Sequence, residues 1–155
     1  MTAMHKLYAR EGWGSVIIEA QFALYGLPCE VQSVGDLFQS ADAREELERV
    51  NPLAQLPTVI LPDGSVMSES AALSLHLADA AASDALVPRA GDPTRPQFLR
   101  WLVFLVTNIY PTFTYADDPT RFVPAAAAAE FRENVDGYAL RLWEIVEQTA
   151  GAPCN

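Results

Sequence analysis

From Ser83 to Pro96 the chain carries Pro88, Gly91, Pro93 and Pro96 and no periodic apolar run, so no single helix or strand can cross the whole stretch. A chain interrupted there must be built in two parts joined by a linker. With 155 residues in all, each part is small and has few elements from which to make a core. The boundaries read as 1–82 for the first part, 83–94 for the linker and 95–155 for the second.

The first part alternates strand and helix signals. His5 to Ala9 is a short strand-like run, interrupted by Gly12, Trp13 and Gly14. A helical pattern then starts at Ser15, which reads as an N-cap; Val16, Ala20, Ala23, Leu24 and Leu27 recur at spacings of three and four, and Gly26 stands where a left-handed terminator belongs. Glu30 to Val34 returns as a second strand, and Ala43 to Arg49 has the composition of a short helix. Thr58 to Leu61 and Val66 to Met67 flank an Asp63-Gly64 pair, the signature of a tight hairpin turn. Ser68, Glu69 and Ser70 lead into Ala72, Leu73, His76, Leu77 and Ala80, the pattern of a capped amphipathic helix. The order is βαβαββα.

The second part reads as all α. An apolar helix from about Gln97 to Ile109 is expected to be buried on most sides, with Pro111 kinking or ending it. Ala125 to Thr149 gives the clearest helical pattern, with Phe131, Val135, Tyr138, Leu142 and Ile145 forming one apolar stripe.

Charge and cysteine content remove several function classes. Ten Lys and Arg against 20 Asp and Glu leave a formal charge of -10, which opposes contact with phosphate backbones, so no nucleic-acid partner is expected. The longest strongly apolar stretch, Trp101 to Val106, is far short of the roughly 20 residues a membrane span needs. No membrane association is expected, and the polar opening with His5, Lys6, Arg10 and Glu11 does not resemble a secretory signal. Cys29 and Cys154 form neither a disulfide framework nor a metal-spaced pair, so the reading is a cytoplasmic chain with no metal. His5 and His76 have no partner at ligand spacing and read as packed or solvated; Cys29 reads as a buried small residue and Cys154 as a tail thiol.

The element order, together with Leu7-Tyr8, Tyr25-Gly26-Leu27-Pro28, the run Asn51-Pro52-Leu53-Ala54-Gln55-Leu56-Pro57-Thr58 and the run Asp63-Gly64-Ser65-Val66-Met67-Ser68-Glu69-Ser70, resembles the glutathione S-transferase family. The resemblance implies an α/β thioredoxin-like domain followed by an all-α domain. Members of the family continue into further helices, so the helical part reads as abbreviated, in a shortened member or a truncated product. The same resemblance implies a cis peptide bond before Pro57, with the backbone of Leu56 pairing with the cysteinyl part of glutathione. It places the γ-glutamyl end on Glu69 and Ser70 and the glycyl end near Gln55. The plainer alternatives are an ordinary trans proline, capping by Ser68 with Glu69 complementing the helix dipole, and a surface glutamine.

Glutathione chemistry requires that thiolate be favoured over thiol, which a hydroxyl donor and a helix N-terminus can supply. Ser15 is the only hydroxyl in the first turn and reads either as the thiol contact or as a cap, with Tyr8 as runner-up. Where related members place a catalytic Ser or Cys just before it, this chain has Gly12, Trp13 and Gly14. Trp13, Tyr110, Phe113 and Tyr115 are the aromatics that the resemblance assigns to the pocket for a small hydrophobic electrophile; packing is their alternative role. The implied activity is conjugation of glutathione, as co-substrate, to such an electrophile in detoxification, and the implied assembly is a homodimer. The alternative is a binding or scaffold protein of the same fold without turnover.

Overall fold

Strand β1 (His5–Ala9) lies inside a four-stranded sheet of order β2, β1, β3, β4. In the computed structural model residues 4–149 are described, and the chain divides into two units between Arg89 and Ala90. The first unit runs β1, α1 (Val16–Tyr25), β2 (Cys29–Ser33), α2 (Ala41–Glu48), β3 (Thr58–Ile60), β4 (Val66–Ser68) and α3 (Ser70–Ala80), the order βαβαββα. Strand β2 pairs parallel with β1, while β3 pairs antiparallel with both β1 and β4. The mixed sheet follows from the connections. A parallel return needs the crossover supplied by α1, whereas Asp63 and Gly64 close a short antiparallel hairpin.

The alternation of β1 sends side chains to two cores. Leu7 and Ala9 join Ile18, Phe22, Val59, Leu73 and Leu77 on the face covered by α1 and α3. Tyr8 faces the other way, against Val34, Leu37 and Leu47 at α2. Each fully buried Leu or Ile of the larger cluster contributes about 1.5–3 kcal/mol of transfer free energy, so the α1/α3 face dominates the unit's stability.

Local signals set the helix ends. Gly26 adopts φ 63°, letting the Leu27 N–H reach back to the Phe22 carbonyl at 3.1 Å and close α1, as its position in the sequence suggested. Ser40 caps α2 by accepting from the Ala43 N–H at 3.2 Å. The expected caps at the other two helices are not made: neither Ser15 nor Ser68 caps through its side chain, and the residue before α3 is Glu69 at φ 69°. At Ser15 the hydroxyl is taken by Arg10. At α3 the chain enters through a left-handed residue, so the extended approach that a serine cap needs is missing.

His5 sits at the start of β1 between the rings of Phe22, at 5.1 Å, and His76, at 6.2 Å. It is 6% exposed and neither ring nitrogen has a hydrogen-bond partner among the described residues. Desolvation pushes its pKa below the ordinary 6.5, the Pro28 carbonyl partly opposes this, and the His76 charge adds to the lowering. The unfolded chain therefore binds the proton more readily than the folded one. Stability should be fully present above pH 6.5 and fall as the pH drops through the folded pKa. Urea unfolding at stepped pH checks this: His5→Phe should flatten the slope, and an equal slope in both proteins would refute it.

The second unit holds α4 (Arg95–Phe104), α5 (Tyr110–Asp117) and α6 (Ala128–Thr149). Pro111 does not end the helical path, and the departure from α winding falls in the turn before it. The turn Leu105–Ile109 before it is wound i→i−5, with the Tyr110 N–H reaching the Leu105 carbonyl, and the wider turn accommodates the proline's missing donor. The expectation that the apolar helix is buried on most sides is also corrected. No described residue of α4 is fully buried and Val103 is 52% exposed; only Ile109, one turn on, is sealed off. The α6 stripe turns Leu142 fully inward and Phe131, Val135 and Ile145 partly so, but Tyr138 faces outward; the Ala125–Ala127 turn that precedes α6 is 3-10 rather than α.

Candidate functional site

Strand register brings four separate loops to one end of the sheet. Tyr8 pairs with Thr58, Thr58 with Ser68, and Ala9 with Ser33. The segments just beyond those residues therefore gather at one end: Arg10–Ser15 after β1, Val34–Ser40 after β2, Asn51–Pro57 before β3, and Glu69–Ser70 after β4. The first-unit residues expected to meet glutathione or its co-substrate, Tyr8, Trp13, Ser15, Gln55, Leu56, Pro57, Glu69 and Ser70, lie there or on the adjoining strand end, whereas His5 and Cys29 begin β1 and β2 at the opposite end.

The Asn51–Pro57 loop is held from within. Buried Asn51 donates its amide to Thr58 Oγ1 at 2.8 Å and to the Gln55 carbonyl at 3.4 Å, and its Oδ1 accepts from the Leu53 N–H at 3.1 Å. The Thr58 hydroxyl also donates to the Gln55 carbonyl, at 2.7 Å. These bonds satisfy the inside of the loop and leave its outer edge open. The Leu56–Pro57 peptide is cis, as the resemblance implied. Among the described residues the Leu56 N–H and C=O have no partner, and Gln55 is exposed. Asn51, part of the sequence run before β3 to which no role was assigned from sequence, thus organises this loop.

At the same end of the sheet, just beyond the Thr58–Ser68 pair, α3 begins with Ser70, Ala71 and Ala72, whose N–H groups have no partner among the described residues. Such groups, with the helix dipole, suit a carboxylate. Glu69 is exposed and held at φ 69°, a conformation that side chains other than glycine enter at a cost of about 1–3 kcal/mol. Together, the Leu56 edge offers strand-like pairing to an extended peptide, and the α3 start offers both an anion seat and a carboxylate for an ammonium group.

At the start of α1 the geometry revises the reading of Ser15. It is fully buried; its Oγ accepts from the Arg10 N–H at 3.0 Å and donates to the Arg10 carbonyl at 3.2 Å. The hydroxyl hydrogen is committed within the loop. The N–H groups of Gly14, Ser15 and Ile17 are open among the described residues. Tyr8 packs against the α2-side cluster, as Leu56 and Trp13 also do, with Lys6 Nζ 5.4 Å from its ring centre. Ser15→Ala should lower stability by about 1 kcal/mol, because it leaves the half-buried Arg10 N–H without its acceptor. A denaturant midpoint unchanged in that variant would contradict the assignment.

Trp13 packs against Phe38 in a tilted ring pair, with centres 5.1 Å apart and planes at 36°. The other aromatics expected around a co-substrate belong to the second unit. Tyr110 and Phe113 form an edge-to-face pair at 6.0 Å, whereas Tyr115 pairs with Phe122 at 4.9 Å. That places Tyr115 in a different ring contact from the first two. Cys29 is half-buried rather than buried, and burial pushes its thiol pKa up. Cys154 lies outside the described residues. No group of three metal-ligating side chains occurs among the described residues, and no described helix is long and apolar enough to cross a membrane.

A thioredoxin-like unit of a four-stranded mixed sheet with three helices, followed by further helices, defines a recognisable class. Residues 18–80 match the family described as glutathione S-transferase, N-terminal domain. The chain is 38% identical over 149 residues to the uncharacterized GST-like protein YncG of Escherichia coli K12, covering 95% of this chain and 71% of that one. It belongs to the glutathione S-transferase family. Glutathione S-transferase GstA of Escherichia coli O157:H7 is 25% identical over 79% of this chain and 63% of its own length. In fold, a glutathione transferase homolog from Sulfitobacter with bound glutathione superimposes with a TM-score of 0.84 at 21% identity, covering 95% of this chain and 70% of that chain. A sphingomonad glutathione S-transferase complexed with glutathione gives 0.68 at 27% identity, covering 94% and 70%.

Proposed function

We propose that this chain binds glutathione at the described end of the sheet and presents its thiolate to a small hydrophobic electrophile. The observation that carries the reading is the open Leu56 backbone edge and the unpaired N–H groups of α3, brought to the same end of the sheet by the pairing of β3 with β4, with exposed Glu69 leading into α3. Glutathione is a peptide with an amino-acid head at one end. The Leu56 N–H and C=O pair with its cysteinyl unit, Ser70 and the α3 start receive the γ-glutamyl carboxylate, Glu69 meets the ammonium, and Gln55 meets the glycyl end. Relatives carrying the ligand support the same reading.

The cysteinyl sulfur then faces the α1 start. Ser15 serves it through its backbone N–H, together with those of Gly14 and Ile17, and through the loop that its hydroxyl closes. Preorganised N–H donors aimed at developing charge favour thiolate and cost nothing to reorganise at the moment of reaction. The thiolate sulfur forms the new bond to carbon, and the leaving group departs with the electron pair. Trp13 offers an apolar ring to the co-substrate.

Calorimetry with reduced glutathione tests the binding step: heat of binding is expected at about 1 mM ligand, and its absence there would remove the proposal. A binding or scaffold role without turnover is the second reading, favoured by the committed Ser15 hydroxyl. The thiol titration of bound glutathione separates the two, since a module that only binds has no need to lower it. We further propose that the chain acts in the cytoplasm and pairs with a second copy. Exposed Val103, Tyr110, Phe113, Leu140 and Trp143 supply apolar surface for association. Light scattering on a dilution series reads this directly as monomer or twice the monomer mass.

A further inference from the structure

The loop after β1 ought to be loose. It contains Gly12, at φ 76°, and Gly14, and glycine gives the chain the most conformational freedom to lose. It is instead tied at one residue, Arg10. The Arg10 carbonyl accepts from the Trp13 N–H at 3.1 Å and from the Ser15 hydroxyl, and its N–H donates back to Ser15. The Arg10 side chain reaches the next loop along the sheet end. Its Nη1 donates to the Val34 carbonyl at 3.3 Å and its Nη2 pairs with Asp36 Oδ2 at 3.2 Å. The same guanidinium carbon lies 5.5 Å from the Trp13 ring centre.

Asp36 closes the circuit. Its other oxygen, Oδ1, accepts from the N–H groups of Phe38, at 2.9 Å, and Gln39, at 3.2 Å, fixing the turn that carries Phe38 against Trp13. The contacts thus run from Arg10 to Asp36, to Phe38, to Trp13 and back to Arg10. Arg10 and Asp36 side chains are only 32% and 27% exposed, so the pair is less screened than a fully solvated one.

We propose that Arg10 is a positioning residue for the bound thiol: through this ring of contacts it fixes the glycine-containing loop and so holds the N–H groups that begin α1 where the thiolate is received. The inference rests on the glutathione reading above and adds to it a device that acts without touching the ligand. Asp36 is the other half of the same device. Its loss and that of Arg10 should therefore have one effect, not two.

Three measurements on Arg10→Gln, Asp36→Asn and the double variant test it. Amide hydrogen exchange of the ligand-free protein at Trp13 and Val16 should quicken about tenfold in each variant, reporting local opening of the loop. With glutathione bound, the thiol titration should move upward so that the thiolate fraction at fixed pH falls about tenfold, to the same extent in single and double variants. Binding of S-methylglutathione, which has no ionisable thiol, should change by less than about threefold, because the Leu56, Glu69 and Ser70 anchors lie on other elements. Arg10→Lys, which keeps the charge but loses the forked geometry, should fall between wild type and Arg10→Gln.

Unchanged exchange at Trp13 and Val16 would overturn the clasp whatever the ligand does. Parallel loss of S-methylglutathione binding and thiolate would reduce Arg10 to a general structural residue and overturn it as well. If Arg10→Gln does not fold, Asp36→Asn decides, since an asparagine oxygen can still accept from Phe38 and Gln39. Failure of wild-type protein to bind either peptide sinks the glutathione reading itself; binding with an unshifted thiol in the variants sinks only the clasp.

Discussion

Glu69→Gly is expected to stabilise the first unit by about 1 kcal/mol and to weaken glutathione binding at least tenfold, two effects of opposite sign from one substitution. The stability gain comes from the backbone. Glu69 stands at φ 69°, where a side chain costs about 1–3 kcal/mol, and glycine removes that cost while adding roughly 0.5–1 kcal/mol of unfolded-chain entropy. The affinity loss comes from the carboxylate. A hydrogen bond to a charged group is worth about 1.5–3 kcal/mol, and the ammonium of glutathione would lose such a partner. Glu69→Gln keeps the strain and loses the charge, so it should weaken binding without the gain in stability. Calorimetry and urea unfolding on both variants read the two effects separately. Glycine that destabilises the unit while leaving affinity intact would show that the strained residue serves the fold and not the ligand.

The places where the sequence was legible and where it was not differ in the range over which their causes act. Gly26 and the Asp63-Gly64 turn depend on backbone freedom at one or two residues, so the residue types announce the geometry. The strand and helix order of the first unit is legible for a related reason: each element carries its own periodicity. Ser15 shows the limit. A serine before a helix looks the same whether it caps the first turn or, as here, bonds a residue five positions upstream. Glu69 shows another, because an acidic residue at a helix start reads as dipole complement while its positive φ leaves no mark on composition.

Arg10 and Asp36 are 26 residues apart, and no local pattern links them. Their partnership exists only because parallel pairing of β1 and β2 sets their following loops side by side. Pro111 fails differently. The rule that proline breaks a helix is sound for an α-turn, but the preceding i→i−5 turn removes the conflict, and nothing in the residues Leu105 to Ile109 announces the wider winding.

The Asn51 amide carries the second large expectation. Asn51→Ala should cost about 3 kcal/mol, roughly 1 for each hydrogen bond lost in a buried setting. The three bonds are those to Thr58 Oγ1, the Gln55 carbonyl and the Leu53 N–H, and Asn51 itself is 5% exposed. The loss does not stop at stability. Gln55 and Leu56 lie on the loop that these bonds span, and Ala54 within it is held at φ 46°, away from where a free chain would settle. Once the amide is gone, the Thr58 hydroxyl alone among the described residues still ties the Gln55 carbonyl. The Leu56 edge then has to be ordered by the ligand, which lowers affinity by the entropy of fixing it, about 1–2 kcal/mol per backbone residue. Asn51→Asp separates the parts: its oxygen still accepts from Leu53, but it cannot donate to Thr58 or Gln55. It should bind glutathione as poorly as Asn51→Ala if donation orders the edge. Wild-type affinity in either variant, measured where both proteins remain folded, would show that the Leu56 edge holds its shape without Asn51.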